Sequence, residues 1–470
     1  MANVSIADRA ARAGVATTPD VQPGVLAVWI AVSAAMLLAL LAPALWNGFP
    51  LIFPDTGGYL TRPIEGALLM GRSALYGLFL YAGIPLAFWP NIVAQAALAV
   101  WLIVLSLRAH GLGGRPWLAL AIVATLSAGT SLPWLAGQLI PDILFPAAVL
   151  ALHLLAFRSE RLARWERFAL AAAIAIALAS HTAAAGMAVA IVAALWLLAR
   201  VQRLALPKPR LTFAAGSVAA GIALCPVSNY AITGTFAFTP GGASFLFGRL
   251  IEDGIVARYL DERCPDPRLH ICAYKADLPQ QADDWLWGAG SAFYKLGGVD
   301  GFSAEQNAII LATLARYPLM HARTAIAATA RQFISFKTEV SVWDNDPAIR
   351  TFSEYAPRLM PQLMSARQQS GHFGVGPLNL LHVPIGALAI LGIAGALLWR
   401  RRLKIAPEFA ALCLTILLAL AANAAICGIF SHPVDRYQSR LLPLASFAVA
   451  LLIARRRHGA FSGEVGTGSP

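Results

Sequence analysis

Residues 25–46 read "VLAVWIAVSAAMLLALLAPALW", a run without one charged side chain. A helix needs about 20 consecutive apolar residues to cross the hydrocarbon core of a bilayer. The rest of the chain has the same character, because 58% of its 470 residues are hydrophobic and only 13% are charged. Soluble domains carry about a quarter charged residues. The sequence therefore predicts an all-α polytopic membrane protein.

Apolar runs of similar length recur along the chain and predict about ten transmembrane helices. They are 25–46, 88–107, 116–134, 139–157, 167–180, 183–199, 211–231, 379–399, 407–429 and 439–454. Residues 73–87 are apolar too, but a Gly-Ile-Pro break and their short length favour an interfacial or re-entrant segment. The first run is longer than a signal-peptide core, so we expect it to stay as an anchor.

Arginine and lysine residues predict how these spans are oriented. They accumulate in cytoplasmic connections, and here every second connection is basic. The basic clusters are Arg9 and Arg12; Arg108 and Arg115; Arg158, Arg161, Arg164 and Arg167; Arg200, Arg203, Lys208 and Arg210; Arg400, Arg401, Arg402 and Lys404; and Arg455, Arg456 and Arg457. Both termini are therefore predicted in the cytoplasm. The formal charge of +12 is explained by these clusters, without a nucleic-acid partner.

This topology divides the chain into five parts. They are a cytoplasmic tail (1–24), an N-terminal bundle with spans one to seven (25–231), an extracytoplasmic cap (232–378) with helical stretches at 303–316 and 318–336, spans eight to ten (379–457), and a disordered tail (458–470). The Arg- and Ala-rich composition favours a bacterial inner membrane. The outer, periplasmic side would then carry the chemistry, because the cytoplasmic side has little besides short basic connections.

The five cysteines fall into two groups. Three lie in or beside apolar spans, where a thiol behaves as a small hydrophobe: Cys225, Cys413 and Cys427. Cys264 and Cys272 lie in the cap, in "CPDPRLHIC", where an oxidising compartment permits a disulfide. A metal pair is the alternative, but the spacing matches no zinc signature and His270 alone would not complete a site.

A single carboxylate follows the first span, in "NGFPLIFPDTGGYL" at residues 47–60. Ionisable residues at membrane depth are costly and tend to mark function. Asp55 could instead cap a simple turn. Its neighbours favour function, because Tyr59 follows and "GRSALYGLFL" at 71–80 returns Arg72 and an aromatic residue to the membrane surface.

Two more outer connections carry charge. Asp142, in "GQLIPDILF", lies at the mouth of span four, where a helix N-terminus alone would also favour an acid. In "SHPVDRYQSRLLP" at residues 431–443, Arg436 and Arg440 would share one helical face and could bind a phosphate. Asp435 could instead pair with both. His432 lies in the same stretch.

Two weaker candidates complete the set. His181 lies in a tight outer turn, where a lone histidine is more often a polar corner residue. The stretch Trp343-Asp344-Asn345-Asp346 is acidic and could bind a divalent cation. No Gly-rich phosphate loop or HExxH helix is present, so ATP coupling within this chain is not expected.

The Asp after span one, the "R…LYGLFL" segment, the acid in "IPDILF" and the closing "RYQSRLLP" resemble the GT-C superfamily of integral-membrane glycosyltransferases. This resemblance covers roughly residues 25–200 and 430–455. It implies a sugar donor linked to polyprenyl phosphate, bound among membrane lipids. Asp55 would be the general base of an inverting transfer. Asp142 would orient the acceptor or hold a metal such as Mg or Mn, although Asp55 has no adjacent acidic partner.

The same resemblance gives the basic and aromatic residues a role. Arg436, with Arg440 or Arg72, would neutralise the departing lipid phosphate. The further substrate-binding candidates are His432, Tyr59, Tyr437 and His181. The alternatives are a lipid or solute transporter, a membrane acyltransferase with His181 or His432 as base, and a non-enzymatic scaffold that presents the cap. The absence of an evident internal repeat slightly disfavours a transporter.

Overall fold

The computed structural model describes residues 23–201, 206–339, 346–371 and 374–464, and it is 78% helix. Within those ranges there is no β-strand, and one isolated parallel bridge joins Leu51 to Gln138. An all-helical fold is what a bilayer imposes, because each backbone N–H and C=O must find its partner inside the chain. The all-α part of the predicted fold class is therefore confirmed.

The helices of the N-terminal half cover most of each apolar run predicted there. They are α1 Pro23–Asn47, α2 Pro54–Glu65, α3 Ala74–Gly83, α4 Trp89–Ala109, α5 Pro116–Gly129, α6 Leu132–Ala136, α7 Leu144–Phe157, α8 Arg164–Ser180, α9 Thr182–Leu198 and α10 Leu211–Thr233. The segment 73–87 forms α3 and a short 3-10 turn, Ile84–Leu86.

The C-terminal half begins with the short helices of the cap and ends with long apolar ones. They are α11 Gly242–Glu252, α12 Ile255–Arg263, α13 Ala282–Trp287, α14 Ala292–Lys295, α15 Gly298–Arg316, α16 Pro318–Ile334, α17 Asp346–Tyr355, α18 Met360–Ser365, α19 Asn379–Leu398, α20 Pro407–Phe430, α21 Asp435–Ser439 and α22 Leu442–Glu464.

Six helical segments among the described residues are long and apolar enough to cross a membrane. They are Pro23–Asn47, Trp89–Ala109, Leu211–Thr233, Gly376–Leu398, Pro407–Phe430 and Asp435–Arg457. The other predicted spans correspond to α5, α7, α8 and α9, which have only 14 to 17 residues. A helix of 14 residues is about 21 Å long, so the prediction of ten complete crossings stays a prediction.

Contacts place three of the basic connections, those after α4, α7 and α19, together at one end of the bundle. Arg158, just after α7, donates from Nε to the Ala109 carbonyl at 2.9 Å and lies 3.8 Å from Glu408. Arg108 bonds Glu166 at the start of α8. Asp142 lies just before α7, so the length of that helix, about 21 Å, separates it from this basic end.

The cap has a small apolar core of its own. Trp285 is fully buried and packs against Phe247, with ring centroids 5.3 Å apart, and against Phe293 at 5.6 Å. Cys264 and Cys272 are joined by a disulfide. The predicted helices at 303–316 and 318–336 appear as α15 and α16.

The structure describes part of the C-terminal tail but not the N-terminal one. Residues 1–22 lie outside the described residues. Helix α22 continues to Glu464, so the backbone of 458–464 is helical where composition alone predicted a disordered tail. The three cysteines in or beside apolar spans are free and buried, as small hydrophobes would be.

Candidate active site

The segment leading to Asp55 is held from two sides. Leu51 donates from its backbone N to the Gly137 carbonyl at 2.9 Å and accepts from the Leu139 N at 2.8 Å. On the other side the fully buried side chain of Gln368 accepts from the Ile52 N at 3.0 Å and donates to the Ile52 carbonyl at 2.6 Å. Backbone groups paired this way fix where α2 begins, and with it the position of Asp55.

Asp55 lies in the first turn of α2 and contacts two arginines. Its Oδ1 accepts from Arg72 Nη2 at 2.5 Å, and its Oδ2 accepts from Arg436 Nη1 at 3.2 Å. Arg72 comes from the loop before α3, whereas Arg436 lies on α21, 381 positions away in the chain. Three separate segments therefore meet at one carboxylate.

Asp142 continues this chain of charges deeper into the protein. Its Oδ2 lies 3.6 Å from Arg436 Nε, and its Oδ1 accepts from Arg440 Nη1 at 3.1 Å. Arg440 also donates to Asn423 Oδ1 on α20 at 2.9 Å. Side-chain exposure falls from 21% at Asp55 to 3% at Asp142 and 0% at Arg440. We call Asp55, Arg72, Arg436, Asp142 and Arg440 the Asp–Arg network.

Aromatic rings cover the guanidinium groups of this network. The Arg436 Cζ lies 4.2 Å from the Phe53 ring centroid and 5.3 Å from that of Tyr437. The Arg440 Cζ lies 3.3 Å from the Phe145 centroid. Such faces attract cations and exclude water, which strengthens the interaction of each arginine with an anion.

Tyr59 and His181 lie close to the network. Tyr59 is buried and packs against Tyr76, with ring centroids 5.2 Å apart. Burial raises the pKa of its hydroxyl, which therefore stays protonated. His181 packs on Phe145 at 5.0 Å, and its Nδ1 accepts from the Ala183 N at the start of α9. Burial and the Arg440 charge lower the pKa of His181 to about 3, so its imidazole is neutral.

The remaining histidine candidate lies at the edge of the site. His432 Nε2 is 3.1 Å from Asp283 Oδ2 in the cap. Asp435 does not take up the arginines, which was one of the two alternatives for this stretch. It accepts from the Lys337 N at 2.9 Å, and the arginines are paired with Asp55 and Asp142 instead.

Several residues at the site were missed by reading the sequence. Arg62 is fully buried on α2 and donates to the carbonyls of Ala67 (3.3 Å) and Leu69, which shapes the loop before Arg72. A lone arginine inside "YLTRPIEGALL" was a signal that could have found it. Gln368 and Asn423 gave no such signal, because a neutral amide in a helix or turn is common.

Charge in the network is not balanced. Arg72, Arg436 and Arg440 give three positive charges against the two negative charges of Asp55 and Asp142. Burial alone would raise the pKa of the Asp55 carboxyl, but the charges of Arg72 and Arg436 outweigh it and hold that pKa below its usual 3.8. Asp55 is therefore ionised, and one positive charge is left over for an anion.

The network has two carboxylates and no histidine or cysteine. No group of three or more His, Cys, Asp or Glu side chains that could hold an ion occurs in the part of the chain that the structure describes. The two carboxylates are bridged by Arg436, whose charge lies where a cation would have to bind both. The acidic stretch Trp343-Asp344-Asn345-Asp346 falls outside the residues whose side chains are described.

A small apolar crevice lies between the helices near the network. Helices α4, α5, α7 and α22 line it, and its lining includes Ile143, which follows Asp142 in the chain, and Pro443 and Leu444, which follow Arg440. The remaining lining residues are Ala99, Leu102, Ile103, Leu126, Leu132, Pro146, Ala147, Leu150 and Phe447. Apolar and charged side chains are thus neighbours in sequence at two points, after Asp142 and after Arg440.

Comparisons with protein-family models, with curated proteins and with solved structures each find no match for this chain. The class that fold and site define is an all-helical protein with apolar helices able to cross a membrane, which suggests a membrane protein.

Proposed function

We propose that the protein is an inverting membrane glycosyltransferase of the GT-C type. It would move a sugar from a polyprenyl-phosphate carrier to a lipid, glycan or protein acceptor, on the periplasmic face of a bacterial inner membrane. The observation that carries this proposal is the direct contact, 3.2 Å, between Asp55 Oδ2 and Arg436 Nη1. A carboxylate and a guanidinium so far apart in sequence meet at the end of the bundle opposite the basic connections.

The surplus positive charge fits the donor. A polyprenyl-phosphate sugar is a phosphodiester with one negative charge, which would neutralise the network. When the bond from the anomeric carbon to the phosphate oxygen breaks, the electron pair stays on that oxygen and the phosphate gains a second negative charge. Arg436 and Arg72 would stabilise that developing charge, and preorganised charges of this kind supply much of the rate enhancement in enzymes.

Asp55 would act as the general base once the donor has bound. In the resting site two guanidinium groups hold its pKa low, which makes it a weak base. A phosphate that takes hydrogen bonds from Arg72 and Arg436 draws them away from Asp55, so its pKa rises. The acceptor hydroxyl then passes its proton to Asp55 as its oxygen attacks the anomeric carbon from the face opposite the phosphate.

Asp142 and Arg440 would serve a different purpose in the same reaction. Asp142 lies between Arg436 and Arg440 and is almost fully buried. It keeps Arg436 in place when the donor competes for that guanidinium group. Part of the prenyl chain would lie along the apolar helices near Ile143, because both are apolar and Ile143 follows Asp142 in the chain.

The transporter and scaffold alternatives differ from this proposal in a measurable way. The purified chain in detergent micelles has no two compartments, so only transfer can move a label. We expect label from a radioactive polyprenyl-phosphate hexose or pentose to appear in an added membrane lipid, glycan or protein fraction when the protein is present.

Arg436→Gln should lower this rate by about 10²–10³-fold, because a donor to the developing charge is lost. The matched control is Arg316→Gln, which removes an exposed arginine paired with Glu262 in the cap and should transfer normally. Label that stays in every donor tested, or an Arg436→Gln protein as fast as the wild type, would contradict the proposal.

A further inference from the structure

Helix α13 in the cap contacts the Asp–Arg network through Trp287 and the neighbouring His432 through Asp283. Asp283 and Trp287 are four residues apart and therefore share one helical face. The Trp287 ring centroid lies 5.3 Å from the Arg72 Cζ, and Asp283 Oδ2 lies 3.1 Å from His432 Nε2. Arg72 precedes α3 and His432 follows α20, so α13 contacts both sides of the site. We call Asp283 and Trp287 the α13 face.

The α13 helix packs against the rest of the cap and is hydrogen-bonded to it. Trp285, two residues before Trp287, is fully buried in the cap core. The backbone N of Ala282 donates to Glu252 Oε2 at 3.2 Å, which fixes the first turn of the helix. Phe245 packs edge-on against Trp287, with ring centroids 6.1 Å apart. A side chain positioned in this way needs little ordering when a ligand binds.

Exposure separates Trp287 from the tryptophan that only stabilises the cap. Trp285 is 0% exposed, whereas Trp287 is 46% exposed although Arg72 covers part of it. The Asp283 side chain is 53% exposed, and Asp284 beside it is exposed as well. Trp287 therefore leaves part of an aromatic ring accessible beside the network, and aromatic side chains with a few polar groups are what line ligand sites.

We propose that the α13 face is a carbohydrate subsite. The C–H face of a pyranose ring stacks on the open side of the Trp287 indole, and its hydroxyls donate hydrogen bonds to Asp283 or Asp284. Carboxylates accept these bonds strongly because they are ionised. The sugar belongs either to the donor or to the acceptor, and Arg72 is the only side chain between the indole and Asp55 in this chain of contacts.

This subsite rests on the proposed transfer reaction, but its binding can be measured without it. The probe is a set of methyl hexopyranosides, observed by saturation-transfer-difference NMR with the full chain in nanodiscs. We expect transfer signals from the ring protons of at least one glycoside on the wild type, and their loss with Trp287→Ala. The matched control is Trp196→Ala, which removes another exposed tryptophan, 48% exposed and stacked on Arg200.

Kinetics identify which sugar occupies the subsite. Trp287→Ala should raise KM by about three- to tenfold and leave kcat nearly unchanged, because a contact made equally in ground and transition states affects KM alone. A rise in the donor KM assigns the donor sugar, and a rise in the acceptor KM assigns the acceptor sugar. Trp287→Phe keeps an aromatic face and should restore part of the loss.

The two proposals fail in different ways. Glycoside signals that are absent on the wild type, or equal on wild type and Trp287→Ala, overturn the subsite even if sugar transfer is observed. Signals that depend on Trp287 support the subsite even if no transfer is found, in which case the transferase proposal falls alone.

Discussion

Arg440→Met tests how strongly the buried half of the Asp–Arg network is coupled. Arg440 is fully buried and donates to Asp142 at 3.1 Å and to Asn423 at 2.9 Å. Methionine keeps much of the apolar volume but leaves the buried Asp142 carboxylate with Arg436 Nε at 3.6 Å as its remaining cation. Removing one partner of a buried ion pair costs about 3–5 kcal/mol, so we expect a loss of that size in the free energy of unfolding.

The double variant separates charge from packing. Adding Asp142→Asn to Arg440→Met removes the carboxylate that has lost its partner, so we expect at least about 2 kcal/mol of the loss to return. Unfolding in detergent micelles with increasing denaturant is followed by circular dichroism. It gives the free energy of unfolding of the wild type, of Arg440→Met and of the double variant.

The control for these two variants is Arg258→Met. Arg258 is an exposed cap residue 3.7 Å from Glu262, and its removal should cost less than about 1 kcal/mol. The reasoning is refuted if Arg440→Met destabilises no more than Arg258→Met. It is also refuted if Asp142→Asn adds a further loss in the Arg440→Met background.

Three further predictions concern the site and the cap. Because the pKa of Asp55 lies below 3.8 in the folded state, its stabilising contribution is present above pH 3.8 and lost below it. The stability difference between wild type and Asp55→Asn should therefore stay constant from about pH 8 to about pH 5 in denaturant titrations. Gln368→Ala leaves buried backbone groups unpaired before Asp55 and should cost about 2–4 kcal/mol, whereas the exposed Gln362→Ala should cost almost nothing in the same titrations. Replacing both Cys264 and Cys272 by serine should lower cap stability by about 2–3 kcal/mol, measured by limited proteolysis of the cap.

The apolar runs were sufficient to predict where the long helices lie. Helix α1 covers Pro23–Asn47 where 25–46 was expected, and α20 covers Pro407–Phe430 where 407–429 was expected. The physical reason is that a strongly apolar run of this length in a bilayer satisfies its backbone groups by forming a helix. Length was harder to predict, because Pro and Gly interrupt the runs at 116–134 and 139–157 and shorten those helices.

The alternating charge of the connections was sufficient to predict part of the site. It placed Asp55, Asp142 and Arg436 on one side of the bundle, and the structure brings these three side chains into contact. The arrangement of Arg436 and Arg440 toward the same acid follows from their spacing of four residues on a helical turn.

Contacts made by the cap could not be predicted from the sequence. Gln368 bonds Ile52, which lies 316 positions away, and Asp283 reaches His432. Neither pairing is encoded by local spacing, because both depend on how the cap packs onto the bundle. The exposure of Trp287 could not be predicted either. A tryptophan in "DDWLWG" is as compatible with a cap core, where Trp285 lies, as with a binding surface.

The most direct measurement is the turnover rate of Asp55→Asn with a radiolabelled polyprenyl-phosphate sugar, in the full chain purified in detergent. The amide is nearly isosteric but cannot accept the acceptor's proton, so we expect kcat to fall by about 10²–10⁴-fold. Asp300→Asn, an exposed acid at the start of α15, is the matched control and should keep the wild-type rate. An Asp55→Asn protein that transfers sugar as fast as the wild type would contradict the account.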